Sequence, residues 1–282
     1  MDDVSHQVSA RETGEQAIIA KLSGVTRDYP AARGAKPLHA LGPIDLELKQ
    51  GEFFSVVGPS GCGKSTLLDI LTGLSPPTAG TATFEGKRIH GVPDGVGVVF
   101  QEDATFPWLD VEANLSFGLK QLQLSARERQ DRVEQALRIM GLVGFRSAFP
   151  AQLSGGMRQR VCIARTLVTQ PRLIVLDEPF GSLDQQTRLL MGDELLRIWR
   201  ETGATVFFIT HSIDEAVMLS DRVGVMSARP GTFIDMLETG WAQKRDSRNV
   251  ADPQFGKLTG QIWGKLRGEA LRQMQLQNDV AP

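Results

Sequence analysis

Apolar and polar residues alternate from Ile18 to Val25 and again from Ile44 to Leu48, the period of strands with one buried face. Three later runs are almost continuously apolar, at Phe53–Val57, Leu173–Leu176 and Thr205–Ile209. Runs of that kind suit parallel strands covered on both faces. Between them the period changes. Val133, Leu137 and Met140 lie on a charged background within Ser125–Met140, which predicts a helix in a stretch without clear strands. Pro30–Pro37 reads as a turn or loop, and Asp252-Pro253 as a helix start, after which Phe255, Leu258, Ile262, Leu266 and Leu271 recur at helical spacing. Short buried strands alternating with helices define an α/β chain. The predicted organisation is a polar tail over 1–16, a main domain over 17–240 with a helical lobe at about 102–165, and a helical extension over 241–282. The extension's apolar stripe either docks on its own domain or receives a partner.

Composition narrows the picture. The 282 residues carry 31 Lys and Arg against 33 Asp and Glu, a formal charge of −2 that argues against a basic nucleic-acid-binding surface. Apolar residues at 41% can fill a core, and charged residues at 23% are too few for a disordered chain. Cys62 and Cys162 are the only cysteines, so neither a disulfide framework nor a cysteine zinc cage is expected, and the chain suits a reducing compartment. Met1–Gln16 lacks the apolar stretch of a signal peptide, and no segment approaches the length of a membrane span. The expectation is a cytosolic chain that crosses no membrane.

Gly58-Pro59-Ser60-Gly61-Cys62-Gly63-Lys64-Ser65-Thr66 fits G-x-x-x-x-G-K-[ST], between the strand ending at Val57 and an apolar helical run, Leu67–Leu74. Triphosphate oxygens need many donors at close range. Glycines let backbone N–H groups form a concave cradle, and the helix N-terminus adds its positive end. Lys64 can then reach the β and γ phosphates, and Ser65 can offer an oxygen to Mg²⁺. Asp177 and Glu178 end a buried strand, where ligands of open α/β sheets gather. Asp177 suits the Mg²⁺ shell, and Glu178 is placed to orient or deprotonate an attacking water. Cys62, beside Lys64 and a helix N-terminus, is expected to have a lowered thiol pKa and to react before Cys162. Leu153–Arg160 is a second glycine-bearing helix start; read alone, Ser154, Gly155 and Gly156 are either a helix cap or an anion site. His211, ahead of a Ser212–Glu215 capping box, reads by itself as a surface residue.

Taken in order and spacing, the phosphate loop, Gln101 after Val96–Phe100, the LSGGMRQR and LIVLDEP segments, Ser182-Leu183-Asp184 and His211 resemble an ABC-type ATPase over about residues 20–235. The resemblance implies a P-loop ATPase core with a parallel sheet, an antiparallel β subdomain and a helical subdomain, and makes 17–240 a nucleotide-binding domain. ATP and Mg²⁺ are the implied ligands. Because the chain has one of each motif, two copies are implied, Ser154, Gly155 and Gly156 of one closing over ATP held by the loop of the other. Gln101 is implied as a Mg²⁺ and water contact, Asp184 as a dimer-interface residue and His211 as a γ-phosphate sensor. Tyr29, the only tyrosine, ends an early strand and matches the aromatic that stacks on adenine; the alternative is an edge-strand aromatic.

Asp103–Val111, Met157 and Ser227-Ala228-Arg229-Pro230-Gly231 further resemble the nitrate, sulfonate and taurine type of bacterial importer. That resemblance places Phe106-Pro107-Trp108-Leu109 where a membrane subunit docks; otherwise Trp108 caps the helical lobe. The implied partners are two transmembrane permease subunits and, indirectly, an extracytoplasmic solute-binding protein, with no nucleic acid. The implied location is peripheral, on the cytoplasmic face of the inner membrane. The rival reading is a soluble ABC ATPase acting on nucleic acid or ribosomes, which near-neutral charge disfavours. Solute choice in such importers resides in other subunits, so nitrate, sulfonates and a pyrimidine precursor all fit.

Overall fold

The structure, a computed structural model, describes residues 17–30, 37–101, 104–181, 183–242 and 244–278. The predicted tail at 1–16, most of the loop after Tyr29, Asp103 and Ser182 lie outside the described residues. In chain order the elements are β1 (Ile18–Tyr29), β2 (Leu38–Lys49), β3 (Phe53–Val57), α1 (Lys64–Leu71), β4 (Ala79–Phe84), β5 (Lys87–Arg88), β6 (Val96–Val99), α2 (Val111–Phe117), α3 (Ala126–Ile139), α4 (Gly155–Leu167), β7 (Leu173–Asp177), α5 (Gln185–Thr202), β8 (Thr205–Ile209), α6 (Ile213–Leu219), β9 (Arg222–Met226), β10 (Phe233–Glu238) and α7 (Pro253–Asn278).

Two sheets form. One is antiparallel, in the order β2-β1-β4-β5; the other runs β10-β9-β3-β8-β7-β6 and is parallel except for the β9–β10 pair. The first two strands outrun their alternating cores because β1 pairs on both sides, with β2 as far as Tyr29 opposite Leu38 and with β4. The doubly apolar runs behave as their composition demands. Phe54, Val56, Val175, Phe207 and Ile209 pack with α1 and the antiparallel sheet, while Phe53, Ile174, Leu176, Val206 and Phe208 pack under the remaining helices. Helix α1 therefore lies between the sheets. It stops at Leu71, short of the predicted Leu74, because Thr72 turns its hydroxyl onto the Leu68 carbonyl and Gly73 takes a φ of +75°.

Helix α3 opens on the capping box of Ser125 and Glu128, each satisfying the other's backbone N–H. Helix α7 docks on the chain itself: Phe255, Leu258 and Ile262 are buried, whereas Leu271, predicted on the same stripe, is half exposed. Ahead of it, the Arg245 side chain is buried against Trp199, donating twice to the Leu219 carbonyl and once to Asp221. Among the described residues no helix is long and apolar enough to cross a membrane.

Candidate nucleotide site

Strand order decides which distant residues meet. β3, β8, β7 and β6 are parallel neighbours, so their carboxyl ends share one edge. Beyond those ends come Gly58–Thr66, His211, Glu178 after Asp177, and Gln101.

The loop before α1 is bare backbone by necessity. Gly61 and Gly63 take φ of +71° and +109°, and a Cβ on Gly63 would stand 2.6 Å from Leu41 Cδ2. One on Gly58 would stand 2.9 Å from Cys62 Sγ. Lys64 is buried, its Nζ donating to the Gly58 and Pro59 carbonyls at 2.9 and 3.0 Å. The exposed Ser65 donates through Oγ to Asp177 Oδ2 at 3.3 Å. A glycine cradle leading into a helix N-terminus fits a polyphosphate, and adjacent hydroxyl and carboxylate oxygens are hard donors that fit Mg²⁺. Burial, then the neighbouring Glu178 charge, push the Asp177 carboxyl above its ordinary range, against Ser65 and Lys64. Its ionisation thus disfavours the fold as pH rises from the ordinary carboxylate range through the raised folded value, a penalty that a divalent cation would relieve.

Glu178 adopts φ +45°, a strained region for a residue with a side chain. Its N–H donates to the Ile209 carbonyl at 2.9 Å. The carboxylate accepts from Gln101 Nε2 at 3.3 Å and meets His211 Nδ1 at 3.0 Å, both through Oε2. A carboxylate held by residues from the two flanking strands can take a proton from a water. The capping box predicted after His211 is only half made: Ser212 Oγ accepts the Glu215 N–H, but the Glu215 carboxylate turns to Thr210 Oγ1 at 2.5 Å and Arg188 at 3.2 Å.

Tyr29 reaches the same loop, its hydroxyl 3.3 Å from Thr66 Oγ1. The Arg27 guanidinium lies 4.9 Å from its ring centroid. Sequence reading missed Arg27, though a cation two residues before an aromatic on a strand shares its face. Ser154 caps α4, accepting the Met157 N–H at 3.3 Å, with Gly155 exposed and Gly156 half-buried beside it. Asp184 caps α5 through the N–H groups of Gln186 and Thr187 and the Thr187 hydroxyl.

The expectation for Cys62 is overturned. Its thiol turns inward, 1% exposed, into the core between the sheets, and burial pushes its pKa up, more than Lys64 lowers it. Trp108 is instead 71% exposed and leans on Phe106, which packs on Phe117 and under Arg165. Asn114, fully buried and unnoticed in the sequence, staples that turn: it accepts from Phe106 N–H and donates to the carbonyls of Phe106, Leu109 and Asp110.

A bare phosphate loop, an acidic strand end and converging side chains on one edge of a parallel sheet define a P-loop ATPase. A family model described as ABC transporter matches residues 41–181. The chain is 44% identical over 237 residues to the taurine import ATP-binding protein TauB of Rhizobium johnstonii, covering 82% of this chain and 90% of that one. It is 40% identical over 254 residues to the nitrate import ATP-binding protein NrtD of Synechocystis, covering 88% and 95%. Among solved structures, a dimeric ATP-binding cassette in a post-hydrolysis state with ADP and Pi superposes with a TM-score of 0.69 at 31% identity, over 79% of this chain and all of that one. A second, cbiO1 from Clostridium perfringens, part of the ABC transporter complex cbiONQ, gives 0.71 at 28% identity over 92% of this chain and all of that one. The chain belongs to the ABC transporter family, as an ATP-binding ATPase.

Proposed function

We propose that the chain is the ATP-hydrolysing subunit of an importer for a small solute of the nitrate, sulfonate or taurine kind, working as a homodimer on the cytoplasmic face of a membrane. The observation that carries this reading is the convergence of Gln101 and His211 on Glu178 beside the Ser65–Asp177 pair. That is equipment for hydrolysis, beyond what binding requires. The taurine and nitrate import relatives support the solute class, and the dimeric cassette with ADP and Pi supports the pairing.

In this reading the loop Gly58, Pro59, Ser60, Gly61, Cys62, Gly63, Lys64, Ser65 and Thr66 binds the phosphates, with backbone N–H groups and the Lys64 ammonium opposing their charge. Tyr29 stacks on adenine. Ser65, Asp177 and Gln101 would hold Mg²⁺, which neutralises charge on the phosphate oxygens when bound. Glu178 takes the proton of the water that attacks the γ-phosphorus; the bond to the ADP oxygen breaks, and ADP and phosphate remain. His211, oriented by Glu178, contacts the γ-phosphate. Ser154, Gly155 and Gly156 of one subunit offer the α4 N-terminus to ATP held by its partner, with Asp184 at the interface. Two copies then complete two sites, and their closure drives two transmembrane permease subunits that receive solute from an extracytoplasmic binding protein. Trp108 and Phe106 form the surface toward those subunits. No nucleic acid takes part.

Gel filtration of Glu178→Gln tests the pairing. With saturating ATP the variant elutes as a dimer and without it as a monomer; a monomer that persists while ATP is bound contradicts the proposal.

A further inference from the structure

The turn after β9 sits directly on the phosphate loop. Arg229 donates through both Nε and Nη2 to the Gly61 carbonyl, at 3.1 and 2.8 Å. Two residues on, Gly231 donates to the Ala40 carbonyl and accepts from the Gly42 N–H, each at 3.0 Å. A Cβ on Gly231 would lie 2.0 Å from the Cys62 carbonyl oxygen, so turn and loop meet backbone to backbone. Ser227 braces the turn from within, donating to the Pro230 carbonyl and accepting the Thr232 N–H at 3.1 and 3.0 Å.

The other side of the turn is held by the C-terminal helix. Glu269 of α7 is buried, 7% exposed, and accepts the Ala228 N–H at 2.9 Å. One helical turn earlier Lys265 pairs with Asp235 of β10 at 3.4 Å, and Phe255, Leu258 and Ile262 anchor the helix below. A buried carboxylate costs desolvation, which the N–H of Ala228, the residue next to Arg229, helps to offset.

Peptide geometry says what Arg229 does. A trans peptide is planar with its C=O and N–H opposed, so a Gly61 carbonyl turned toward Arg229 turns the Cys62 N–H the other way, where it donates to the Pro59 carbonyl at 3.3 Å and closes the turn of the loop. That bond holds the shape of the cradle, and the guanidinium adds positive charge beside it. Arg229 itself is exposed, so removing it opens no core cavity.

We propose that Arg229 is a positioning residue for the phosphate loop and that α7, through Glu269 and the turn, sets how tightly the loop holds ATP; this rests on the reading of Gly58–Thr66 as the ATP site. The coupling runs from helix to turn to loop, and loosening either contact frees the Gly61–Cys62 peptide to rotate.

Calorimetric titration of the full chain with ATP and Mg²⁺ tests it on Lys64→Ala, Arg229→Ala, Arg229→Lys, Glu269→Ala and Glu269→Gln. Arg229→Ala weakens ATP binding about tenfold and Arg229→Lys about threefold, since one ammonium replaces a two-pronged donor. In turnover, KM rises by the same factors while kcat stays within about twofold, and the melting temperature of the nucleotide-free chain holds within about 2 °C. Glu269→Ala weakens binding severalfold, and Glu269→Gln, whose amide oxygen still accepts from Ala228, restores most of it. The double variant Glu269→Ala, Arg229→Ala binds no worse than Arg229→Ala alone. Arg229→Ala at parental affinity, with Lys64→Ala unable to bind, overturns the positioning role and leaves the ATP site standing. Additive losses in the double variant, or no loss in Glu269→Ala, overturn the helix coupling. ATP binding by Lys64→Ala overturns the ATP-site reading and this proposal with it.

Discussion

His211 Nδ1 meets Glu178 Oε2 at 3.0 Å, although the two residues are 33 positions apart and follow different strands. The contact exists because β7 and β8 are parallel neighbours, with Asp177 opposite Ile209 in register. His211→Ala should therefore lower ATP turnover by about 10- to 100-fold while the ATP dissociation constant stays within about twofold. Phosphate release and titration read the two separately, and parental turnover would remove His211 from the reaction.

Tyr29 joins the site through the Thr66 hydroxyl, while Arg27 lies close to its ring. Replacement by Ala should weaken ATP binding by about 1–3 kcal/mol, the range of base–aromatic stacking. Tyr29→Phe keeps the ring and gives up only the hydroxyl contact, so it should bind nearly as the parent does. Equal affinity in the Ala variant, measured by titration, would make Tyr29 an ordinary strand-end aromatic.

Exposure separates Trp108 from the residue that positions it. Trp108→Ala should change stability by less than about 0.5 kcal/mol, as for most surface substitutions, yet abolish co-purification with the membrane subunits. Asn114→Ala, which takes the side-chain partner from the Phe106 N–H and the Leu109 carbonyl while the Phe106 and Asp110 carbonyls keep the backbone N–H groups of Leu109 and Asn114, should cost about 2–4 kcal/mol. Denaturant melts compare the two directly, and a Trp108 variant that melts far below the parent but still co-purifies would place Trp108 among the core residues.

What could be read from the sequence depended on whether the signal was local. The glycines of the phosphate loop and the carboxylates closing an apolar run are short-range patterns, and the doubly buried strands showed in their lack of alternation. Strand order is not local: no stretch of sequence says that β6 and β8 flank β7, which is what brings Gln101 and His211 onto Glu178. The positive φ of Glu178 was equally hidden, because glutamate gives no hint of a left-handed position. Cys62 failed for a related reason. Its neighbours in sequence are a lysine and a helix start, but its neighbours in space include Leu67 and Met226. Arg229 and Asn114 carry their roles through backbone partners elsewhere in the fold, which residue-type patterns do not record.

The buried Cys62 thiol fixes a pH dependence. Its raised pKa means that the unfolded chain begins to lose the thiol proton, near pH 8.5, before the folded chain does. The sulfur's contribution to stability is therefore constant below that pH and declines as pH rises above it toward the folded value. At pH 7, alkylation of the native chain should run at least about 100-fold slower than that of an unfolded thiol, and mild denaturant should accelerate it. Peptide mapping reads this, and rapid labelling of Cys62 in the native chain would show the thiol facing outward.

Glu178 carries the central claim, that this site hydrolyses ATP and does not merely bind it. Steady-state phosphate release by Glu178→Gln, measured beside the parent under saturating MgATP, tests that claim most directly. The account predicts a loss of about 100-fold or more with ATP affinity retained, because the amide keeps the size of the side chain and cannot accept the proton of water. Turnover within about threefold of the parent would contradict it.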